Sequence, residues 1–200
     1  MKELKHAGSC LAISVLLLFP VFGFAQNSDN ARPAKADNAQ PPQERDGKHD
    51  FDFLFGKWKS HQRRLLHPLT GSNEWAEFDA TVVARPILGG AGNMDEFEAD
   101  TPTSHISGVT VRIYNSKSHQ WSIYWGSQGI GALSLPATVG QFKDGRGEFY
   151  DQEDYDGKSI FVRYLWIASP DAPRWEQAFS TDGGKTWETN WVGTFTRDKS

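Results

Sequence analysis

The residues that could do chemistry are few and scattered. Five histidines follow the first twenty-five residues: His49, His61, His67, His105 and His119. No two have the spacing of a zinc-binding helix motif, and loop or surface positions are the simpler reading. The single cysteine, Cys10, precedes an apolar N-terminal run. Beyond that run the chain can form neither a disulfide nor a Cys-ligated metal site. Asp95 and Glu96 are carboxylate neighbours, as are Glu153 and Asp154. Adjacent strand residues point to opposite faces, so neither couple is by itself an acid/base pair. There is no Gly-x-Ser-x-Gly elbow for a nucleophilic serine. Gly89-Gly-Ala-Gly-Asn93 lacks the spacing of a dinucleotide fingerprint and no amphipathic helix follows it, so it reads as a flexible turn. No catalytic residue, metal ligand or cofactor is expected, and the balance is against an enzyme.

Charge narrows the partners. The formal charge is −4 with nothing basic clustered, and phosphate binding needs a positive patch, so no nucleic acid partner is expected. Residues 1–25 read as a signal peptide. Lys2 and Lys5 precede an apolar run, 11–24, too short for a comfortable membrane span, and Gly23-Phe24-Ala25 is a small-x-small cleavage site. Its removal takes away two positive charges and Glu3, so the charge becomes −5. The expected location is periplasmic or extracellular, with no stable membrane span after cleavage. Residues 26–48 are Asn, Asp, Ala, Pro and Gln with almost no large apolar group. Such a stretch cannot offset the entropy of ordering and reads as a disordered linker. A domain of about 150 residues, 49–200, remains, enough to bury roughly 70% of its unfolded surface. Its oligomeric state is not legible.

The elements that must position any site alternate with period two. Residues 174–197 form two alternating runs around Asp182-Gly183-Gly184, a strong hairpin signal. In the second run Trp187, Thr189, Trp191, Gly193, Phe195 and Arg197 share one face, an apolar stripe that ends in a cation. Further strands are expected over 57–67, 74–88, 94–99, 107–114, 119–126, 138–143, 147–154 and 158–168. Asp144-Gly145 and Asp156-Gly157 mark two of the turns. The first strand carries Trp58, Ser60, Gln62, Arg64 and Leu66 on what should be its inner face, half of them polar. A packed sandwich core would not do this, whereas a wet or ligand-filled lumen would. Ala76 and Ala80 leave room inside the second strand. Val109, Val111 and Ile113 share a face of one central strand, as do Trp121, Ile123 and Trp125 of the next. Residues 126–137 hold no charge and three glycines, either a mobile lid or a loop packed on the rim. Residues 49–56, with Phe51, Phe53, Leu54 and Phe55, read as a short helical turn or plug. Sequential hairpins without a long helix describe an all-β, antiparallel up-and-down barrel of about ten strands.

Gly56-Lys57-Trp58 on the first strand and Arg197 on the last resemble the calycin barrels: lipocalins, fatty-acid-binding proteins and nitrobindins. His49-Asp-Phe-Asp-Phe-Leu-Phe-Gly-Lys-Trp58, Pro86-Ile-Leu-Gly-Gly90 and Asp182-Gly-Gly-Lys-Thr-Trp187 together resemble an uncharacterised bacterial family of secreted calycin-like domains, over about residues 49–197. The resemblance implies a fold and a structural closure in which Arg197 lies across Trp58 beside Gly56. It implies no activity. Haem binding in the nitrobindin manner needs a late histidine, and none follows His119. Ser180-Thr-Asp-Gly-Gly-Lys-Thr-Trp187 also resembles the Asp-box turn of sialidase-type propellers. That box repeats once per blade there and occurs once here. The tryptophans could stack on carbohydrate, but inward parity makes core the better reading.

The expected function is a binding module for a small, mostly apolar ligand with a polar or anionic head. The expected ligand contacts are Gln62, Arg64, Phe78, Val111, Trp125, Tyr164, Gln177 and Trp191. Two alternatives are an envelope or protein-interaction module with a filled barrel, and an unrecognised hydrolase or isomerase.

Overall fold

The computed structural model describes residues 45–101 and 103–200; the expected signal peptide and nearly all of the expected linker lie outside them. Ten strands follow the period-two pattern: β1 (Gly56–Leu65), β2 (Trp75–Ile87), β3 (Gly92–Asp100), β4 (His105–Asn115), β5 (Gln120–Ser127), β6 (Thr138–Lys143), β7 (Arg146–Tyr155), β8 (Lys158–Ile167), β9 (Arg174–Ser180) and β10 (Glu188–Arg197). Each pairs antiparallel with its sequence neighbour, and β1 pairs with β10 to close the barrel. Closure gives every strand a paired neighbour on both sides.

The tight turns sit where the sequence asks for them. Asp144-Gly145 and Asp156-Gly157 all have positive φ, the backbone that a two-residue hairpin of matching twist requires. Between β9 and β10 the Asp182 carboxylate accepts from the Lys185 and Thr186 amides at 3.0 and 2.9 Å and from the Thr186 hydroxyl at 2.7 Å. These bonds hold its carboxyl well below the usual range. The Asp-box-like segment is thus a folded turn.

One end of the barrel is plugged. A 3-10 turn, Asp52–Leu54, drops Phe51 and Leu54 into the base, where both are buried. Phe51 meets Trp121 and Phe142 edge-on, at ring-centroid distances of 5.1 and 4.9 Å, a favoured aromatic geometry. The packing starts before His49: the Gly47 carbonyl accepts from Trp121 Nε1 at 3.0 Å, and its amide donates to the Tyr114 hydroxyl at 2.9 Å. At the same end Arg197 lies over the Trp58 ring, 3.8 Å from its centroid, and donates to the carbonyls of Phe53, Phe55 and Pro170. Trp58 and Arg197 are direct partners in the β1–β10 ladder. Gly56 has φ 110°, and a side chain there would crowd the guanidinium at 3.1 Å.

Four expectations change. On β4 the inner face is Thr110, Arg112 and Tyr114; Val111 is not inside but on the outer wall with Val109 and Ile113, the last exposed. The reason is register: Thr110 and Arg112 stand opposite the inward Trp125 and Ile123, so Val109, Val111 and Ile113 face out. On β10 a register shift between Thr189 and Trp191 turns Asn190 inward beside Trp191. Beyond this bulge Trp187 lies on the outer wall, packed on Tyr150 and under Arg163. Leu66 falls past the end of β1 and is 53% exposed. Gly92 and Asn93 are not a flexible turn but the start of β3, with Asn93 buried.

Candidate functional site

The inner wall carries more polar chemistry than a filled core would keep. Gln62 is buried, donates to the Ser60 hydroxyl at 2.5 Å, and accepts from Trp191 Nε1 at 2.8 Å. Gly193 makes the room: a side chain there would come within 2.8 Å of the Gln62 amide. The bond holds the Trp191 indole in one orientation on the inner wall.

An inner chamber of about 110 Å³ lies above the plug. Its floor is Leu54, Trp166 and Phe195, and Val82, Ala84, Phe97 and Ile123 form an apolar side. Trp125, Tyr164, Trp175 and Trp191 supply most of the aromatic wall. Trp175 meets Trp191 edge-on at 5.6 Å and Tyr164 at 5.4 Å. The Trp125 ring lies against Gly108, where an added methyl would clash at 2.2 Å, so that ring has space only because β4 has no side chain there.

Two polar clusters border this chamber. In the first, Arg112 Nη1 donates to Asp95 Oδ2 at 2.5 Å and to Asn93 Oδ1 at 3.1 Å, all three residues being buried. The guanidinium also lies 5.0 Å from the Phe51 ring and 5.6 Å from Trp166. A buried charge needs this combination of counter-ion, acceptor and aromatic faces. In the second, the Thr138 hydroxyl donates to Asp151 Oδ2 at 2.7 Å, with Glu153 two residues along β7 and Tyr164 on β8 electrostatically coupled to it. Burial, then the charge of Asp151, raises the Glu153 carboxyl to about 7. Burial also raises Asp151, with its Oδ1 enclosed and unpartnered, and pushes the Tyr164 hydroxyl up. A carboxyl that titrates near neutrality can give or take a proton. Glu153 opens on a groove shared with Ser134, Leu135 and Pro136.

Toward the mouth is a vestibule of about 440 Å³, and Gln177 lines both spaces. Ala76, Phe78, Ile106 and Phe179 are its apolar side; Arg64, Gln177 and Asn190 are polar. Gln177 donates to Asn190 Oδ1 at 2.8 Å. The Arg64 guanidinium lies 4.6 Å from the Trp191 ring centroid. Phe78 meets the same ring at 6.4 Å. The uncharged segment 126–137 straps the wall beside β5, with the Ser134 amide donating to the Trp125 carbonyl at 2.6 Å.

Of the residues expected to touch a ligand, Gln62, Trp125, Tyr164, Gln177 and Trp191 line the chamber, while Arg64 and Phe78 join Gln177 in the vestibule. Val111 joins neither. Sequence reasoning missed Arg112, Asp95, Asn93, Asp151 and Asn190. The parity of Arg112 with Tyr114, and of Asp151 with Phe149, was the available signal. None of the histidines lines either space: His61 bonds Asp79 and His105 bonds Asp100 and Glu98 on the exposed outer wall, while half-buried His119 meets the Tyr114 hydroxyl at 3.2 Å. Among the described residues no group of three or more His, Cys, Asp or Glu side chains could hold a metal ion. No helix there is long and apolar enough to cross a membrane. A scan against protein-family models finds no match, and neither does a search of curated proteins.

Proposed function

We propose that the chain is an exported, calycin-like barrel that carries a small, mostly apolar molecule with one polar end. The observation that carries this is the two-part interior. An aromatic chamber with fixed hydrogen-bonding groups leads to a vestibule with a polar corner, the general make-up of a ligand site. The chamber alone is smaller than the roughly 300–1,000 Å³ of a usual small-molecule site. The bound molecule therefore extends into the vestibule, its apolar part against Trp125, Trp175 and Trp191. Export rests on the basic and apolar pattern of residues 1–25, and the calycin relation on the Trp58–Arg197 closure joined to the ten-strand meander. The size of the chamber favours a second reading, a filled barrel serving as an interaction module.

Native mass spectrometry of protein purified without refolding separates the two. The expected result is a small-molecule adduct that organic extraction releases. A bare protein mass, together with a crystal structure whose interior holds only water, would establish the filled barrel.

A further inference from the structure

The vestibule carries one charge. Among the described residues that line it, Arg64 is the single ionised side chain, and no Asp or Glu faces it there. Arg64 forms no salt bridge with a described residue, whereas Arg112, the cation of the inner chamber, is neutralised by Asp95. The guanidinium is held over Trp191, 4.6 Å from the ring centroid, and that indole is fixed in turn by Gln62. Arg64 thus stands at the mouth as a positioned cation. A second, independent feature points the same way. Asn190 is 2% exposed, its Oδ1 is taken by Gln177, and its Nδ2 is buried with no partner. A buried donor left unpaired is costly unless something supplies an acceptor. Thr101, Thr103, Ser104 and Tyr155 add hydroxyl-bearing side chains to the lining.

We infer that the vestibule is an anion site, in which Arg64 and Asn190 receive the acidic head of an amphiphilic ligand whose apolar body enters the aromatic chamber. The inference rests on the carrier reading above and specifies its orientation: head at the mouth, body inward. The chemistry shared by a carboxylate, a sulfonate or a phosphate ester satisfies it. At the inner end Asn93 Nδ2 and Arg112 Nε are also buried without a partner, but Asp95 already neutralises the cation there and would repel a second anion. The head therefore stays outside.

The test compares two fluorescent probes of nearly the same shape. Anilinonaphthalene sulfonate carries an anionic head; N-phenylnaphthylamine lacks it. The folded protein, checked by near-ultraviolet circular dichroism, is titrated with each. The anionic probe should bind about tenfold tighter or more, the scale of a charge-assisted hydrogen bond. Added salt should erode that advantage, because the vestibule is open to solvent. Arg64→Gln should abolish the difference between the probes, and Arg64→Lys should restore part of it. Equal affinity for both probes in the unmodified protein, or a preference that survives Arg64→Gln, overturns the anion site and leaves the carrier reading standing. Failure of both probes to bind overturns the two together.

Discussion

A single residue pair ties the ends of the domain together. Trp58 and Arg197 are 139 positions apart in sequence, yet they face each other in one ladder and stack at 3.8 Å. The stack should contribute about 0.5–2 kcal/mol, rising with desolvation. Arg197→Ala also strips three backbone carbonyls of their donor. It should cost about 1–3 kcal/mol, and more than Arg197→Lys, which keeps the charge but not the fork. Trp58→Ala truncates a buried ring and should cost about 3–5 kcal/mol. Chemical denaturation of the double variant should show a loss smaller than the sum of the singles, because the partners touch. Strict additivity would mean that the stack contributes nothing. The need for a partner was legible in the sequence, because a cation ending an otherwise apolar stripe needs an aromatic or acceptor group; that Trp58 is the partner was implied by the resemblance to the calycin barrels. The Arg112–Asp95–Asn93 cluster was not legible. Its members lie on two strands, 17 and 19 residues apart, and although the parity of each strand hints at its inner face, neither strand alone says that Arg112 meets Asp95 and Asn93.

At the scale of elements, β7 carries a carboxyl whose titration reaches neutrality. Asp151 and Glu153 share one face of this strand, and the wall beside them is closed by β6, β8 and the strap 126–137. Thr138 of β6 and Ile160, Val162 and Tyr164 of β8 face inward with them, and the strap brings no charge. Nothing there compensates a second negative charge, so Glu153 holds its proton to about 7, against an ordinary value of 4.5. Because the folded form binds this proton more tightly than the unfolded chain, the stability linked to it is complete below about 4.5. It declines as pH rises through about 7. Glu153→Gln should remove that decline. The variant should gain on the order of 1 kcal/mol over the parent at pH 8, a figure reduced for partial solvent exposure, and little or nothing near pH 4.5. Urea denaturation of both proteins at the two pH values measures it, and an identical difference at both would refute the assignment. The sequence pairing of Glu153 with Asp154 obscured this. The partner that matters is two residues away on the same face.

For the whole molecule, the meander makes nearly every pairing local, and only the β1–β10 ladder spans the full domain. That ladder closes over a plug from the N-terminal side, where Phe51 is fully buried against five other rings and under Arg112. Phe51→Ala should cost about 3–5 kcal/mol in the urea midpoint at unchanged slope. A loss below about 1 kcal/mol would show that the base collapses onto the space and that the plug is dispensable. The plug also supplies Leu54 to the chamber floor, so the same segment that stabilises the barrel limits its depth.

The sequence by itself determined the all-β class, about ten strands in order, the Asp-Gly turns and the need of Arg197 for a partner, with Trp58 as that partner implied by the calycin resemblance. These follow from local periodicity, from turn residues that tolerate positive φ, and from the cost of an unpaired cation. Tertiary structure decided which face of β4 looks inward, where β10 bulges, and how much space remains. Where a strand is apolar on one side and mixed on the other, alternation alone cannot choose the inside. Register with the neighbouring strand chooses it, by setting Thr110 and Arg112 against Trp125 and Ile123. The chamber likewise belongs to no single element. It is the volume left when side chains from all around the closed wall meet above Leu54, and only closure fixes it.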